Sequence, residues 1–121
     1  MVKVRYATAD DLDQFYGQER PTLSVRGVVA DRDGEILGVI GLAYQDNEMQ
    51  AFSSMKEDMR QYPMTIMRAV SKFKTILKRY GSNVLAIANP DEKHSDKLLE
   101  SVGFQFVEDI AEGRLYQWQT Q

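Results

Sequence analysis

The 121-residue chain has no cysteine. It can therefore form no disulfide, no thiolate metal site and no cysteine nucleophile, a composition that fits a reducing cytoplasm. No stretch approaches the ~20 apolar residues of a membrane-spanning helix. Lys3 and Arg5 carry charge where a secretory signal peptide would be apolar. We therefore expect a cytoplasmic protein without a membrane partner.

Proline and glycine are also scarce. The chain has three prolines, and between Gly41 and Gly81 it has no glycine at all. No repeat or low-complexity tract interrupts it. Its length and its 43% hydrophobic content suit one compact core, so we expect a single domain over residues 1–121.

Acidic residues are absent from Met59 to Pro90, although this stretch carries six cations, Arg60, Arg68, Lys72, Lys74, Lys78 and Arg79. Because the whole chain has a net charge of −3, the remainder sums to −9. The basic stretch could face the phosphates of a nucleotide cofactor or of a nucleic acid, or it could be a solvated helix face. We favour the solvated face, because a charge run alone is weak support for binding and the acidic remainder argues against nucleic acid.

The residues that are present alternate between strand and helix patterns. Val2, Val4 and Tyr6 alternate with cations, which predicts a half-buried strand. Thr8 then offers an N-cap for a short helix that ends near Tyr16. Three aspartates near the start of this helix lack EF-hand spacing, so favourable charge at a helix start explains them better than a metal site. We expect no metal.

A three-stranded antiparallel meander is predicted next. Ser24 to Ala30 and Ile36 to Tyr44 are rich in β-forming residues, and Asp33-Gly34 between them can adopt the positive φ of a tight hairpin turn. A third run, from Glu48 to Ser54, follows a polar turn cluster. Gly38 and Gly41 are interpreted as points of twist or of close approach to a neighbouring group.

The clearest helix begins at Pro63, whose missing N–H suits the first helical position, and ends at Gly81, which suits a left-handed cap. Apolar residues recur at steps of three and four at Ile66, Val70, Phe73, Leu77 and Tyr80, broadened by Met67 and Ile76. Five methionines could line an adaptable groove for an acyl chain or a partner, namely Met49, Met55, Met59, Met64 and Met67. Core filling explains Met64 and Met67, which have helical spacing, at least as well. The apolar stripe must pack against a sheet.

The last part of the chain predicts strand, helix and hairpin. Val84 to Ala88 is continuously apolar, which predicts a central strand covered on both faces. A helix from about Ser95 to Val102 follows, and Gly103 ends it. Phe104 to Asp109 and Arg114 to Gln119 form a closing hairpin. The predicted order is β, α, β, β, β, α, β, α, β, β.

This order, together with the segment Asn89, Ser95, Leu98-Leu99 and Gly103-Phe104, resembles the Gcn5-related N-acetyltransferase (GNAT) superfamily. The resemblance spans nearly the whole chain. It implies an α/β (α+β) fold, with a mixed, mostly antiparallel sheet of about six or seven strands and helices on both faces. It also implies acetyl-CoA as cofactor, in a V-shaped opening between the fourth and fifth strands, and N-acetyl transfer to an amine of a small molecule or a protein.

The resemblance assigns the thioester end of the site to the fourth strand, whose backbone would hold the thioester at Gln50, Ala51, Phe52 and Ser53. Glu48, at the start of that strand, would be a general base that acts through water. The alternative, which we favour, is a solvated strand-end carboxylate. Four residues before Gly103, where many members carry a tyrosine acid, this chain has Leu99, which cannot donate a proton.

The pyrophosphate end departs from the superfamily pattern. Arg60, Met64 and Thr65 occupy the stretch that would meet the pyrophosphate, and Asn89 would shape the cleft from the end of the fifth strand. Glycines let the amides of such a loop approach phosphates closely, whereas Pro63 has no N–H to offer. The glycine-free stretch therefore predicts weak or absent pyrophosphate binding.

A narrower resemblance is to the small GNAT-like internal virion or scaffold proteins of short-tailed bacteriophages. It covers mainly Met64 to Trp118 and rests on spacing and residue character at Lys78 to Tyr80, Asn89, Leu98, Gly103 and Leu115-Tyr116. It implies a catalytically inactive protein that works in virion assembly or as an interaction module, with phage structural proteins as partners. Its location would be the host cytoplasm or the virion, and a homodimer is left open.

Overall fold

The computed structural model of this chain describes residues 2–17, 25–45, 47–81, 83–88 and 95–118. Their strands are β1 (Val2–Tyr6), β2 (Val25–Arg32), β3 (Glu35–Gln45), β4 (Glu48–Met55), β5 (Val84–Ala88), β6 (Gln105–Ile110) and β7 (Gly113–Trp118). Their helices are α1 (Ala9–Tyr16), α2 (Pro63–Tyr80) and α3 (Ser95–Val102), with a 3₁₀ turn at Glu57–Gln61. None of the helices in these ranges is both long and apolar enough to cross a membrane. The predicted order is confirmed, but the 3₁₀ turn has no counterpart in the prediction.

The strands form one seven-stranded sheet in the order β1-β2-β3-β4-β5-β7-β6. Its neighbours pair antiparallel except for β4 and β5, which are parallel. A parallel pair needs a crossover connection, and α2 provides it. The predicted fold class, a mixed and mostly antiparallel sheet, is confirmed.

Each face of the sheet has its own helical cover. Val28 of β2 packs in one cluster with Val70 and Phe73 of α2, whereas the adjacent Val29 packs with Leu12 of α1. Successive strand residues point to opposite faces, so α1 and α2 lie on opposite sides. We call these sides the α1 face and the α2 face; α3 packs on the α2 face through its buried Val102.

The tight turns form where the sequence predicts them. Asp33 and Gly34 join β2 to β3 with φ of 51° and 96°, and the Asp31 carboxylate accepts a hydrogen bond from the Gly34 N–H at 2.7 Å. Gly81 ends α2 in the left-handed conformation, with φ of 71°, and its N–H donates to the Leu77 carbonyl. These turns depend on neighbouring residues alone, which is why local sequence predicts them.

Helix α2 buries the centre of its predicted stripe, at Val70, Phe73 and Leu77. Met64 and Met67 are 70% and 55% exposed, so the interpretation of these methionines as core residues is wrong. They lie on the side of the helix that faces away from the sheet. Tyr80, at the end of the stripe, is also 37% exposed.

Strand β5 is less covered than its apolar sequence predicts. Val84, Ala86 and Ala88 are buried on the α2 face, but Leu85 is half-buried and Ile87 is 42% exposed. The prediction of cover on both faces is wrong. The reason is that α1 packs on β2 and β3, which leaves the α1 face of β5 beyond its reach.

Helix α1 is tied to the sheet by an ion-paired capping box. The Thr8 hydroxyl accepts from the Asp11 N–H, and the Asp11 carboxylate accepts from the Thr8 N–H at 2.8 Å. Arg5 of β1 donates to both carboxylate oxygens of Asp11, at 2.6 and 2.8 Å, and also to Asp31. Hydrogen bonding from Arg5 lowers the pKa of Asp11 from 3.8 to about 2. The acidic helix start therefore caps α1 and fixes it to β1.

This ion pair predicts a pH-dependent part of the stability. In Asp11→Asn the free energy of unfolding should fall by about 2 kcal/mol near neutral pH, because the folded chain lowers the pKa of the carboxyl. The contribution is complete above 3.8, the pKa without the pair, and is lost as the pH falls through about 2. Urea denaturation across this range measures it, and the difference between wild type and variant should narrow in acid. Asp10→Asn, at an exposed position of the same turn, is the control; an equal loss there would contradict the assignment.

Candidate functional site

Strands β4 and β5 pair over two residues before they part. Gln50 pairs with Leu85 and Ala51 with Ala86, and the parallel ladder ends there. Beyond this point β4 stays paired with β3 to its last residue, and β5 stays paired with β7 to its last residue. The sheet therefore opens between its fourth and fifth strands.

The opening is a cleft of about 380 Å³. Most of its lining is apolar, comprising Ile40, Ala51, Phe52, Phe73, Ala86, Ile87, Ala88, Leu98, Leu99, Val102 and Phe104. Its polar lining residues all belong to β4, namely Gln50, Ser53 and Ser54. A cleft of this size and lining suits a ligand with an apolar chain and a few hydrogen-bonding groups.

No side chain in the described lining of the cleft is ionisable. Leu99 lies in this lining, so the position at which the GNAT resemblance implies a proton donor is apolar. Glu48 is exposed at the start of β4 and lies outside the lining. Over the described ranges, no group of three or more His, Asp or Glu side chains could hold a metal ion. Backbone groups, the Gln50 amide and the serine hydroxyls are the polar groups of the described lining.

The structure brings together the residues assigned to the thioester and separates them from those assigned to the pyrophosphate. Gln50 to Ser53 all line the cleft. Arg60 and Met64 are exposed and Thr65 is buried, and all three lie outside the lining. Asn89 lies outside the described residues. The assignment of these residues to a cofactor stays a prediction.

A buried methionine anchors to the sheet the turn that precedes the residues assigned to the pyrophosphate. Met59, in the 3₁₀ turn, is 2% exposed and packs with Ala30 and Leu37 of the sheet. Its N–H donates to the Lys56 carbonyl, and its carbonyl accepts from the Tyr62 N–H, both at 3.0 Å. These backbone groups are used within the turn, so they cannot point at a ligand as those of a glycine-rich loop do.

The start of α2 offers few donors to an anion. Pro63 has no N–H, and the Ile66 N–H donates to the Tyr62 carbonyl at 3.1 Å. This leaves the amides of Met64 and Thr65 without a partner in the helix. An anion at this end would meet two donors.

The charges around the turn also cancel. Between Lys56 and Arg60 two cations stand beside two carboxylates, so the formal charge of this segment is zero. Arg32 reaches Asp58 at 3.4 Å, and Lys56 reaches Glu35 at 3.5 Å. Phosphate binding at a helix start gains from positive potential, which this turn does not supply.

A pair that sequence reasoning missed lies on the α1 face of the opening. The hydroxyl of Tyr16, the last residue of α1, donates a hydrogen bond to Oγ of Ser54 at 3.3 Å, and Ser54 lines the cleft. The Tyr16 ring packs edge-on against Phe52, with centroids 6.3 Å apart. Burial raises the pKa of Tyr16, and the hydrogen bond with Ser54 opposes this in part. The partners are 38 residues apart, and no motif in the chain links them.

Phe52 can take this position because Gly41, on the neighbouring strand β3, has no side chain. A Cβ on Gly41 would lie 3.0 Å from the Phe52 ring and 2.8 Å from the carbonyl oxygen of Arg26. The contact with the Phe52 ring would be tight, and the one with the carbonyl oxygen would be shorter than real Cβ atoms allow. The interpretation as a point of close approach is confirmed for Gly41, whereas a Cβ on Gly38 would meet its nearest neighbours at 3.4 Å, an ordinary van der Waals contact.

Comparison with known proteins identifies the fold. By sequence, the chain matches no family model and no curated protein. By structure it is similar to a GNAT-family acetyltransferase from Staphylococcus aureus Mu50, with a TM-score of 0.71, 11% identity and coverage of 100% of both chains. It is also similar to the PaiA N-acetyltransferase of Thermoplasma acidophilum in complex with coenzyme A, with a TM-score of 0.70, 11% identity and coverage of 98% of this chain and 99% of that one.

A third similar structure is YncA of Salmonella typhimurium with its cofactor acetyl-CoA. Its TM-score is 0.71 at 13% identity, over 100% of this chain and 95% of that one. At such identities the likeness shows the fold alone. The chain has the GNAT fold, with its cleft between the fourth and fifth strands.

The buried position of Met59 predicts a large effect on stability. Met59→Ala should lower the free energy of unfolding by about 3 kcal/mol, because it leaves a cavity under the 3₁₀ turn. Met64→Ala, at an exposed position a few residues on, should change it by less than about 0.5 kcal/mol. Urea denaturation of both variants gives the comparison. Equal losses of unfolding free energy in the two variants would show that Met59 does not anchor the turn to the sheet.

Proposed function

We propose that this chain is a member of the GNAT superfamily that binds acetyl-CoA between β4 and β5 and transfers the acetyl group to an amine. The observation that carries this proposal is the parting of the two strands, which leaves one edge of β4 unpaired beside an apolar cleft. The similarity of its fold to proteins solved with coenzyme A or acetyl-CoA supports the choice of cofactor.

The unpaired edge of β4 suits the pantetheine arm of the cofactor. The backbone N–H and C=O groups of a strand point alternately to its two neighbours, and after Ala51 those on the β5 side have no strand partner. Pantetheine is an extended chain with two amide groups and a thiol end. It can therefore pair with this edge as an added strand would, while the apolar walls cover its methyl and methylene groups.

Catalysis would rest on positioning. Backbone amides between Gln50 and Ser53 would hold the thioester carbonyl and stabilise the negative charge that develops on its oxygen. An amine held beside that carbonyl reacts as if at high local concentration. Asn89 would shape the cleft, and Glu48 would take the proton of the amine through a water molecule.

The ADP half of the cofactor would add little to binding. Arg60 and the amides of Met64 and Thr65 would make the remaining contacts with the pyrophosphate. The turn before them is formally neutral, and its loop amides are already bonded. We therefore assign most of the affinity to the pantetheine arm.

Calorimetric titration with acetyl-CoA and with acetyl-pantetheine tests this function. We expect dissociation constants within about tenfold of each other, a difference of about 1.4 kcal/mol, because the pyrophosphate contacts are few. Failure of both ligands to bind at millimolar concentration would overturn the function. Binding of acetyl-CoA alone would overturn the assignment of affinity to the pantetheine arm.

A matched pair of variants locates the binding site. Ser53→Phe places an aromatic ring in the cleft and should abolish binding of both ligands. Ser71→Phe makes the same change on the exposed side of α2 and should bind them as the wild type does. Equal binding by the two variants would place the ligand elsewhere.

The outer side of α2 favours a second candidate function, that of a catalytically inactive interaction protein in virion assembly. Arg68, Lys78 and Arg79 are exposed there, and over the described residues they have no ion-pair partner. Met64 and Met67 add exposed apolar surface beside them. A cationic surface with exposed methionines suits an acidic protein partner. A phage structural protein would be that partner, in the host cytoplasm or the virion.

The composition of purified particles tests this second function. If the chain is a virion component, Arg68→Glu with Arg79→Glu should lower its copy number about tenfold, because like charges at the contact cost more than 1 kcal/mol. Quantitative mass spectrometry of virions, normalised to the capsid protein, measures this. Lys3→Glu with Arg26→Glu reverses two exposed cations elsewhere and serves as the control. Absence of the wild-type chain from the particles would contradict this function.

A further inference from the structure

The cleft contains a hydroxyl pair that can serve the leaving group. A departing thiolate needs a hydrogen-bond or proton donor, and the described lining holds no ionisable side chain. Ser54 is one of its polar lining residues, and Ser54 Oγ accepts a hydrogen bond from the Tyr16 hydroxyl at 3.3 Å. Through Ser54, the ionisable hydroxyl of Tyr16 is therefore in hydrogen-bond contact with a cleft whose described lining has no ionisable side chain.

Tyr16 is held in place from both ends of α1. The Asp11–Arg5 ion pair fixes the start of the helix. Near its end, Gln14 donates to the Gly34 carbonyl at 3.1 Å and accepts from the Ile36 N–H at 2.9 Å. With its ring against Phe52, the Tyr16 hydroxyl has little freedom to leave β4.

The direction of the hydrogen bond matters for the chemistry. A serine hydroxyl has one hydrogen and two acceptor lone pairs. Each hydroxyl of the pair carries one hydrogen, so when the Tyr16 hydrogen lies between the two oxygens, which are 3.3 Å apart, the hydrogen of Ser54 is available for another acceptor. A thiolate in the cleft would be such an acceptor.

We propose that Ser54 donates its hydroxyl hydrogen to the departing thiolate and that Tyr16 is the positioning residue that orients Ser54 and resupplies it. This inference rests on the proposed acyl transfer. Ser54 touches the leaving group, whereas Tyr16 acts through Ser54. The pair supplies the proton donor that Leu99 cannot provide.

The amine nitrogen attacks the thioester carbonyl carbon, the C–N bond forms, and the amine loses a proton to water. When the C–S bond breaks, its electron pair stays on sulfur, and the Ser54 hydrogen moves to sulfur while the Tyr16 hydrogen moves to Ser54 Oγ. Water returns a proton to Tyr16. Burial raises the pKa of Tyr16, so the hydroxyl is protonated again at neutral pH before the next turnover.

Dependence on the leaving group tests the proposal. Hydroxylamine serves as a small amine nucleophile that needs no acceptor pocket, and thiol release is measured from acetyl-CoA and from 4-nitrophenyl thioacetate. The aromatic thiolate is a good leaving group that needs no donor. With acetyl-CoA we expect kcat to fall about 100-fold in Ser54→Ala and about tenfold in Tyr16→Phe, within the range of general acid catalysis. With the aromatic thioester both variants should keep the wild-type rate.

Controls separate this inference from the proposed function. Tyr44→Phe removes the hydroxyl of a tyrosine that is 44% exposed and should leave both rates unchanged, and calorimetry should give wild-type affinity for acetyl-CoA in every variant. Equal losses with both thioesters, or no loss with either, would overturn the role of Tyr16 and Ser54 while acyl transfer stands. A wild-type chain that neither binds nor cleaves acetyl-CoA would overturn both. Thermal unfolding of each variant reports whether it is folded.

Discussion

A short ladder between β4 and β5 divides the sheet into two halves, so the fold relies on the apolar core that these halves share. Two residue pairs join the β1 to β4 half of the sheet to the β5 to β7 half. The halves are held together mainly by one apolar core, in which Val28 and Leu42 from one half and Val84 and Tyr116 from the other pack around Phe73 of α2. Because burial of apolar surface needs no hydrogen-bond register, the strands can part and expose a cleft without separating the halves.

The segment after β4 is stabilised by apolar packing and lacks the features of a phosphate-binding loop. A phosphate-binding loop must leave its amides free and its surroundings positive. Here the loop buries Met59 and bonds its amides internally, so apolar packing stabilises the turn without a ligand. The edge of β4 that lines the cleft is not part of this turn. The β4 residues assigned to the thioester and the residues assigned to the pyrophosphate therefore lie in separate parts of the structure.

The position of Tyr16 links the cleft to interactions far from it. Its hydroxyl reaches Ser54 because α1 is fixed at Arg5 and Asp11 and because Gly41 leaves room for Phe52. Arg5, Asp11 and Gly41 all lie outside the lining of the cleft. Because close-packed interiors transmit strain, α1 provides a physical connection between the capping box and the cleft.

The local features follow from the sequence alone: the Thr8 cap, the Asp33-Gly34 hairpin, the helix between Pro63 and Gly81 and the order of elements. Each of these depends on residues a few positions apart. Long-range packing, by contrast, buries Met59, leaves Ile87 and Met67 exposed, and brings Tyr16 to Ser54 across 38 residues. An apolar side chain can be buried, but whether a helix covers it depends on how elements that are distant in sequence pack together. The GNAT resemblance predicted the position of the cleft between the fourth and fifth strands, but its lining depends on long-range packing, because the lining residues come from elements distant in sequence.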